Sequence, residues 1–292
     1  MGEKSRTNGL IASNVVRRFA LIVFVSVMTE KTIAPNVMEI NMGITKIPWA
    51  EVSWNPISGC SPIASGCQNC YAKKMAYRLR GRYGYPQDEP FRPTFHPDKL
   101  EQPLKWKKPR LIFLGSMSDF GHIDFTNDQL AKIINVTIKS PQHTFLILTK
   151  RPQRLLEFFN WLPDESFNNL WFGTSASTQK EFDENAEILC KIDSPNLFVS
   201  LEPLLEDINL GKYELAWYIA GAESGKNKRT YPRGAISSLI KQCSNIRKPL
   251  FIKQVHYTSY DGTSESGILK LDKDIRNWPP EYQIRQWPEF KL

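Results

Sequence analysis

Cysteine and histidine are scarce in this chain, with five and four residues in 292. An odd number of cysteines spread over that length does not make a disulfide framework. None of His96, His122, His143 and His256 falls at metal-pair spacing beside the cysteines. Long apolar runs are also missing. The nearest to one, residues 19–28 behind Arg17 and Arg18, is too short to span a bilayer. It is followed by Val27-Met28-Thr29-Glu30 rather than a small-residue cleavage site. Residues 1–43 therefore read as an N-terminal extension, disordered or added by an upstream start codon, and not as an export signal or anchor. Acidic residues are outnumbered, 30 against 38 Lys and Arg, which leaves a formal charge of +8. A hydrophobic content of 41% and a mean hydropathy of −0.38 describe a soluble globular chain. Its length suits one α/β barrel or two smaller domains.

What the chain does hold is three of its five cysteines within eleven residues, at 60, 67 and 70. The spacing is C-x6-C-x2-C, with Gly59 and Gly66 directly before two of the thiols, which suits a loop whose backbone approaches something closely. Three thiolates without an adjacent fourth ligand leave one coordination position open, as in an iron–sulfur cluster with a free iron. Structural zinc completed by a distant His or Cys is the alternative use of the same three residues. Cys190 and Cys243 fall in apolar-periodic helical stretches and read as small core residues.

The charge is concentrated. Residues 73–110 hold eleven Lys and Arg and four acids, a local excess of +7. Interleaved with Tyr77, Tyr83, Tyr85, Phe91 and Trp106, this block is a candidate nucleic-acid surface, weighed against plain solvation of the cations and packing of the aromatics.

Around it the pattern alternates. Strands are expected at 51–54, 110–115, 144–148, 170–173, 197–201, 216–220 and 249–253. Helices are expected at 71–82, 127–140 with Thr126 as N-cap, 153–161, 179–192 and 233–244. Short continuous apolar strands between helices mean a parallel sheet covered on both faces, hence a full or partial (β/α) TIM-like barrel over 44–255. Residues 256–292 read as a covering segment. Asp119, Lys150, Ser175, Glu202, Glu223 and Lys253 each fall at or just after a strand's C-terminal end. In such a barrel those ends converge on one mouth, where the cysteine loop after the first strand also lies.

At these residues the chain resembles a known family. Asn55-Pro56-x-x-Gly59-Cys60 with Gly66-Cys67-x-x-Cys70-Tyr71-Ala72 resembles the cluster loop of radical S-adenosylmethionine (SAM) enzymes of the group around spore photoproduct lyase. The strand-end runs Ser-Met-Ser-Asp, Leu-Thr-Lys-Arg-Pro, Thr-Ser, Leu-Glu-Pro and Gly-Ala-Glu-Ser-Gly resemble a phage-borne three-cysteine-motif family of unknown function, over residues 46–255. The loop departs from the usual pattern, with six residues instead of three between the first two cysteines. Seven Cα steps reach about 23 Å, so the longer loop can fold back to deliver Cys60.

The resemblance implies a [4Fe–4S] cluster on Cys60, Cys67 and Cys70, with SAM on the fourth iron, cleaved reductively to a 5′-deoxyadenosyl radical. It implies that Ser116, Ser118 and Asp119 meet the SAM amino group. Ser175 and Glu202 would meet the ribose or carboxylate, and Gly221 and Glu223 would line the adenine side. Lys150, Arg151 and Lys253 remain for the SAM carboxylate or an anionic substrate. A flavodoxin- or ferredoxin-like electron donor, nucleic acid as partner and a reducing cytoplasmic location belong to the same expectation. The reading from a different class is a non-catalytic nucleic-acid-binding protein with a structural three-cysteine zinc or iron–sulfur site.

Overall fold

The computed structural model describes residues 45–162, 167–225, 227–232, 234–259 and 268–290. The expected extension at 1–43 lies outside the described residues. Seven strands form one sheet in chain order: β1 (Val52–Trp54), β2 (Leu111–Leu114), β3 (Thr144–Thr149), β4 (Leu170–Ser175), β5 (Leu197–Leu201), β6 (Trp217–Ala220) and β7 (Leu250–Ile252). Every ladder between neighbours is parallel. Parallel neighbours need crossovers, and their common right hand curls the sheet while setting helices on its outer face. The crossovers carry α1 (Tyr71–Arg78), α2 (Asn127–Ile138), α3 (Pro152–Trp161), α4 (Gln179–Leu189) and α5 (Ala235–Asn245). No ladder joins β7 to β1 among the described residues, so the architecture is the partial barrel.

Two-sided burial explains the unbroken apolar strands. Phe113, Leu146, Trp171, Phe198, Trp217, Ile219 and Phe251 meet Trp49 in one cluster. The alternate residues Ile112, Leu114, Phe145, Ile147, Val199 and Tyr218 are fully buried on the opposite face. A ring such as Phe198, wholly buried, contributes about 1.5–3 kcal/mol relative to exposure. Gly173 makes room for it, since a Cβ there would stand 2.3 Å from Phe198 Cζ.

The expected helix and strand positions hold with small shifts at the ends. Thr126 caps α2 in a capping box with Gln129. α1 stops at Arg78 rather than 82, where the chain turns through positive φ at Gly81, Tyr83 and Gly84. The region read as loop before Pro109 contains a short strand, Thr94–Phe95, paired with Ile57–Ser58. Cys243 is buried in α5, but Cys190 is exposed, because it caps the C-terminal end of α4 after the apolar stripe has ended.

Residues 284–290 of the expected covering segment have a definite place. Ile252 N–H donates to Ile284 O at 2.9 Å and Gln286 N–H to Leu250 O at 3.0 Å, so residues 284–286 run antiparallel along the outer edge of β7. Phe290 then packs against Trp171 and Trp217 at ring-centroid distances of 5.1 and 5.9 Å. Val255–Ser259 and Ile268–Asp272 form an antiparallel pair that periodicity did not disclose.

Candidate functional site: a three-thiol pocket at the strand ends

The C-terminal strand ends open onto a cavity of about 220 Å³. Cys60, Cys67 and Cys70 line it, and so do Ser116, Ser118, Asp119, Lys150, Arg151, Ser175, Glu202, Glu223 and Lys253. Gly221 stands just behind this lining, where a Cβ would come within 2.8 Å of Glu202 Oε1. The structure thus gathers around one space residues that the sequence scatters over nearly two hundred positions.

The cysteine loop is held at both ends and in its middle. At entry, Gly59 adopts φ +84°, and a Cβ there would lie 2.2 Å from Arg92 O, so only glycine fits. Gly59 N–H donates to Met117 O at 2.9 Å, Cys60 N–H to Phe91 O at 3.0 Å, and Ser118 Oγ to Gly59 O at 2.9 Å. In the middle, Glu181 of α4 receives Ser65 N–H at 2.8 Å and Ser65 Oγ at 2.7 Å on one oxygen, and Ser177 N–H at 2.8 Å on the other. Burial works against its charge, yet these donors hold the Glu181 carboxyl below its ordinary range. At exit, Asn69 Nδ2 donates to Glu223 Oε2 at 3.0 Å, and Cys70 leads directly into α1.

The ionic groups of the pocket are mostly paired. Arg151 Nη1 meets Asp119 Oδ2 at 2.6 Å, Lys253 Nζ meets Glu202 Oε1 at 2.8 Å, and Arg229 Nη2 meets Glu223 Oε1 at 2.6 Å. Asp119 is fully committed inside the protein: Thr149 Oγ1 and Gly121 N–H reach Oδ1, while Lys150 N–H and Arg151 reach Oδ2. Arg151 also approaches Cys60 Sγ at 3.5 Å and Ser61 O at 2.8 Å, linking the loop to the end of β3. Lys150 differs from these. Its Nζ donates to Ser175 Oγ at 2.6 Å, and among the described residues no carboxylate pairs with it. Lys150 is therefore a cation available to an anionic ligand group. Burial, then the nearby Asp119 charge, push the Cys60 thiol up to about 11, so without a metal it keeps its proton.

Several participants were not evident from the sequence. Glu181, Asn69 and Arg229 all act on the cysteine loop or its anchor, and Trp49 Nε1 reaches Glu202 Oε2 at 3.4 Å. Met117, Phe120 and His122, near the end of β2, fall outside the lining; Phe120 and His122 are buried. Each histidine already has a protein partner: Ser58 for His96, Ser61 for His122, Pro103 O for His143 and Glu223 O for His256. Among the described residues no group of three His, Cys, Asp or Glu, the three thiols included, is arranged to hold a single metal ion, and no helix is long and apolar enough to cross a membrane.

Of the expected nucleic-acid block, Tyr85, Phe91 and Trp106 are buried and serve packing, whereas Tyr77 and Tyr83 are exposed.

Among solved structures the chain is similar to spore photoproduct lyase complexed with a dinucleoside spore photoproduct. That match has 13% identity and a TM-score of 0.44, and covers 80% of this chain and 71% of that one. A tyrosine-to-phenylalanine mutant of spore photoproduct lyase matches at 12% identity and a TM-score of 0.45, over 90% and 87% of the two chains. No curated protein matches. A family model described as a protein of unknown function, DUF5131, matches residues 44–276, and the chain belongs to that family.

Proposed function

We propose that the pocket is the reactive centre of a radical SAM-type enzyme, with Cys60, Cys67 and Cys70 as ligands of an iron–sulfur cluster and the strand ends as the SAM site. The observation that carries this reading is the convergence of three free thiols and the polar ends of six parallel strands on one cavity. The donor set fits a cluster better than a single ion. Tetrahedral zinc needs a fourth ligand, and the four histidines are committed elsewhere. A cluster takes one thiolate per iron and leaves an iron for a cofactor. When bound, the cluster would supply the electron that splits SAM, with the protein providing position and charge.

The chain's own residues then divide the work. Glu181, Asn69 and Glu223 fix the loop that carries the thiols. Asp119 orients Arg151 toward Cys60, a positioning role that its four internal donors favour over direct contact with an ammonium group. Lys150, supported by Ser175, receives a carboxylate or phosphate. Ser116, Ser118, Gly221 and the Glu202–Lys253 pair shape the space for the nucleoside. The enzyme would draw its electron from a flavodoxin- or ferredoxin-type donor in a reducing cytoplasm.

Reconstitution with iron and sulfide under anaerobic conditions, followed by reduction in the presence of SAM, tests the reading. The expected results are broad absorbance near roughly 400 nm from the cluster and release of 5′-deoxyadenosine. Colourless protein that retains stoichiometric zinc would refute it.

A further inference from the structure

α1 leaves the pocket at Tyr71 and Lys73, both of which line it, and continues outward through the turn 79–85. From residue 71 to 87 the sequence has five cations and no acid. Lys74, Arg78, Arg80 and Arg82 are all exposed, and among the described residues none of them has a carboxylate within ion-pair distance. Two aromatic rings share this arm. Tyr77 is 47% exposed, with Arg80 Cζ 5.4 Å from its ring centroid. Tyr83 is 72% exposed and has φ +56°.

The Tyr83 backbone is informative. A bulky residue in the left-handed region is strained, and such strain persists only where the surroundings enforce it. Here they do. Tyr85 N–H donates to Arg82 O at 3.0 Å, Lys99 Nζ to Tyr83 O at 2.9 Å, and Tyr85 beneath is buried. A built, anchored turn thus holds an aromatic ring out in water, where it gains nothing from packing.

Cations interleaved with solvent-facing rings match a ligand with alternating phosphates and flat bases. An acidic protein would satisfy the cations but leave both rings without use. Bases within a duplex are already stacked, so the rings call for unpaired ones. We propose that this arm binds single-stranded nucleic acid, with phosphates on Lys74, Arg78 and Arg82 and bases stacked on Tyr77 and Tyr83, and leads one nucleotide of it to the pocket. The last step rests on reading the pocket as the reactive centre. At about 1.5 Å rise per residue, Tyr77 lies about 9 Å along α1 from Tyr71. At about 3.4 Å per nucleotide that span is about two to three nucleotides.

Fluorescence anisotropy of a labelled oligothymidylate, with the full metal-free chain over a range of salt, tests the binding. Metal-free protein separates the two ideas, since iron loading and SAM cleavage can fail or succeed without affecting this measurement. Saturable binding is expected, with log affinity falling against log salt at a slope of about −2 to −3.5, or about 0.7 per phosphate neutralised. Replacing Lys74→Gln and Arg78→Gln together should reduce the slope by about 1.4. Replacing Tyr77→Ala or Tyr83→Ala should leave the slope unchanged and weaken binding about ten-fold each. All four side chains are exposed, and unchanged melting of the variants confirms folding. Absence of saturable binding, or tyrosine variants that bind the strand as well as the parent, would overturn the proposal. So would a duplex bound more tightly than the single strand. Saturable binding of an acidic flavodoxin instead, lost in the charge variants, would reassign the arm to the electron donor.

Discussion

Replacing Glu181→Gln tests whether the cysteine loop owes its position to α4. The carboxylate receives three donors, two from Ser65 and one from Ser177, at 2.7–2.8 Å. Hydrogen bonds to a charged group contribute about 1.5–3 kcal/mol each, and the partial exposure of Glu181 places these at the low end. Glutamine can still accept from Ser65 through its one oxygen, but as a weaker neutral acceptor. Its amide nitrogen then faces Ser177 N–H, donor against donor. The local cost is about 2–3 kcal/mol, or roughly one and a half to two orders of magnitude in loop opening. Amide hydrogen exchange reads this directly, because Cys67 N–H is protected by Ala64 O at 3.0 Å within the same turn. Exchange at Cys67 should accelerate by that factor at neutral pH, while amides of β3 stay unchanged. The pH dependence has a definite sign. A carboxyl with a depressed folded pKa stabilises fully above its ordinary value of 4.5, and the effect is lost as pH falls through the lower folded value. The difference between wild type and Glu181→Gln should therefore persist down to about that pH and shrink below it. Exchange at Cys67 within two-fold of wild type at neutral pH would refute the clamp.

Three further outcomes are expected. Single Cys→Ala changes at 60, 67 or 70 should abolish iron binding after reconstitution, whereas Cys190→Ala and Cys243→Ala should retain it; iron assay with absorbance distinguishes them. Lys150→Gln removes a pocket cation that no carboxylate pairs among the described residues and should weaken SAM binding to the iron-loaded protein about ten-fold or more by calorimetry, with iron content unchanged. Gly59→Ala forces a Cβ to within 2.2 Å of Arg92 O at a positive φ. It should lower stability by roughly 3 kcal/mol or more in denaturant titration, far beyond an ordinary surface substitution.

The strands were legible because each is buried on both faces, so runs such as 111–115 and 170–173 carry no polar interruption. The polar residues that end them stood out by contrast, and with them most of the pocket lining. Glu181 did not stand out. It sits three residues after Thr178, and this spacing reads as a helix start; Thr178 does accept Glu181 N–H at 3.3 Å. Only the tertiary fold shows that one oxygen of the carboxylate reaches beyond its own helix start to Ser65, far back in the chain. The commitment of Asp119 was hidden for a similar reason. A lone acid at a strand end looks available until Thr149, Gly121, Lys150 and Arg151 are seen around it. Cys190 misled because helical periodicity continues past the last buried turn, and the thiol falls on the wrong side of that end.

The strip at 284–286 has a consequence for handling and for assembly. An open parallel sheet ends in a row of unpaired amide and carbonyl groups, a template on which a strand of another molecule can grow. Here residues 284–286 of the same chain occupy that template along β7, with Phe290 inserted as a stopper at the base of the aromatic core. Removing residues 284–290 would uncover a sticky edge and take away the stopper at once. The altered protein would then self-associate through strand exchange, although nothing in its reactive pocket had been touched.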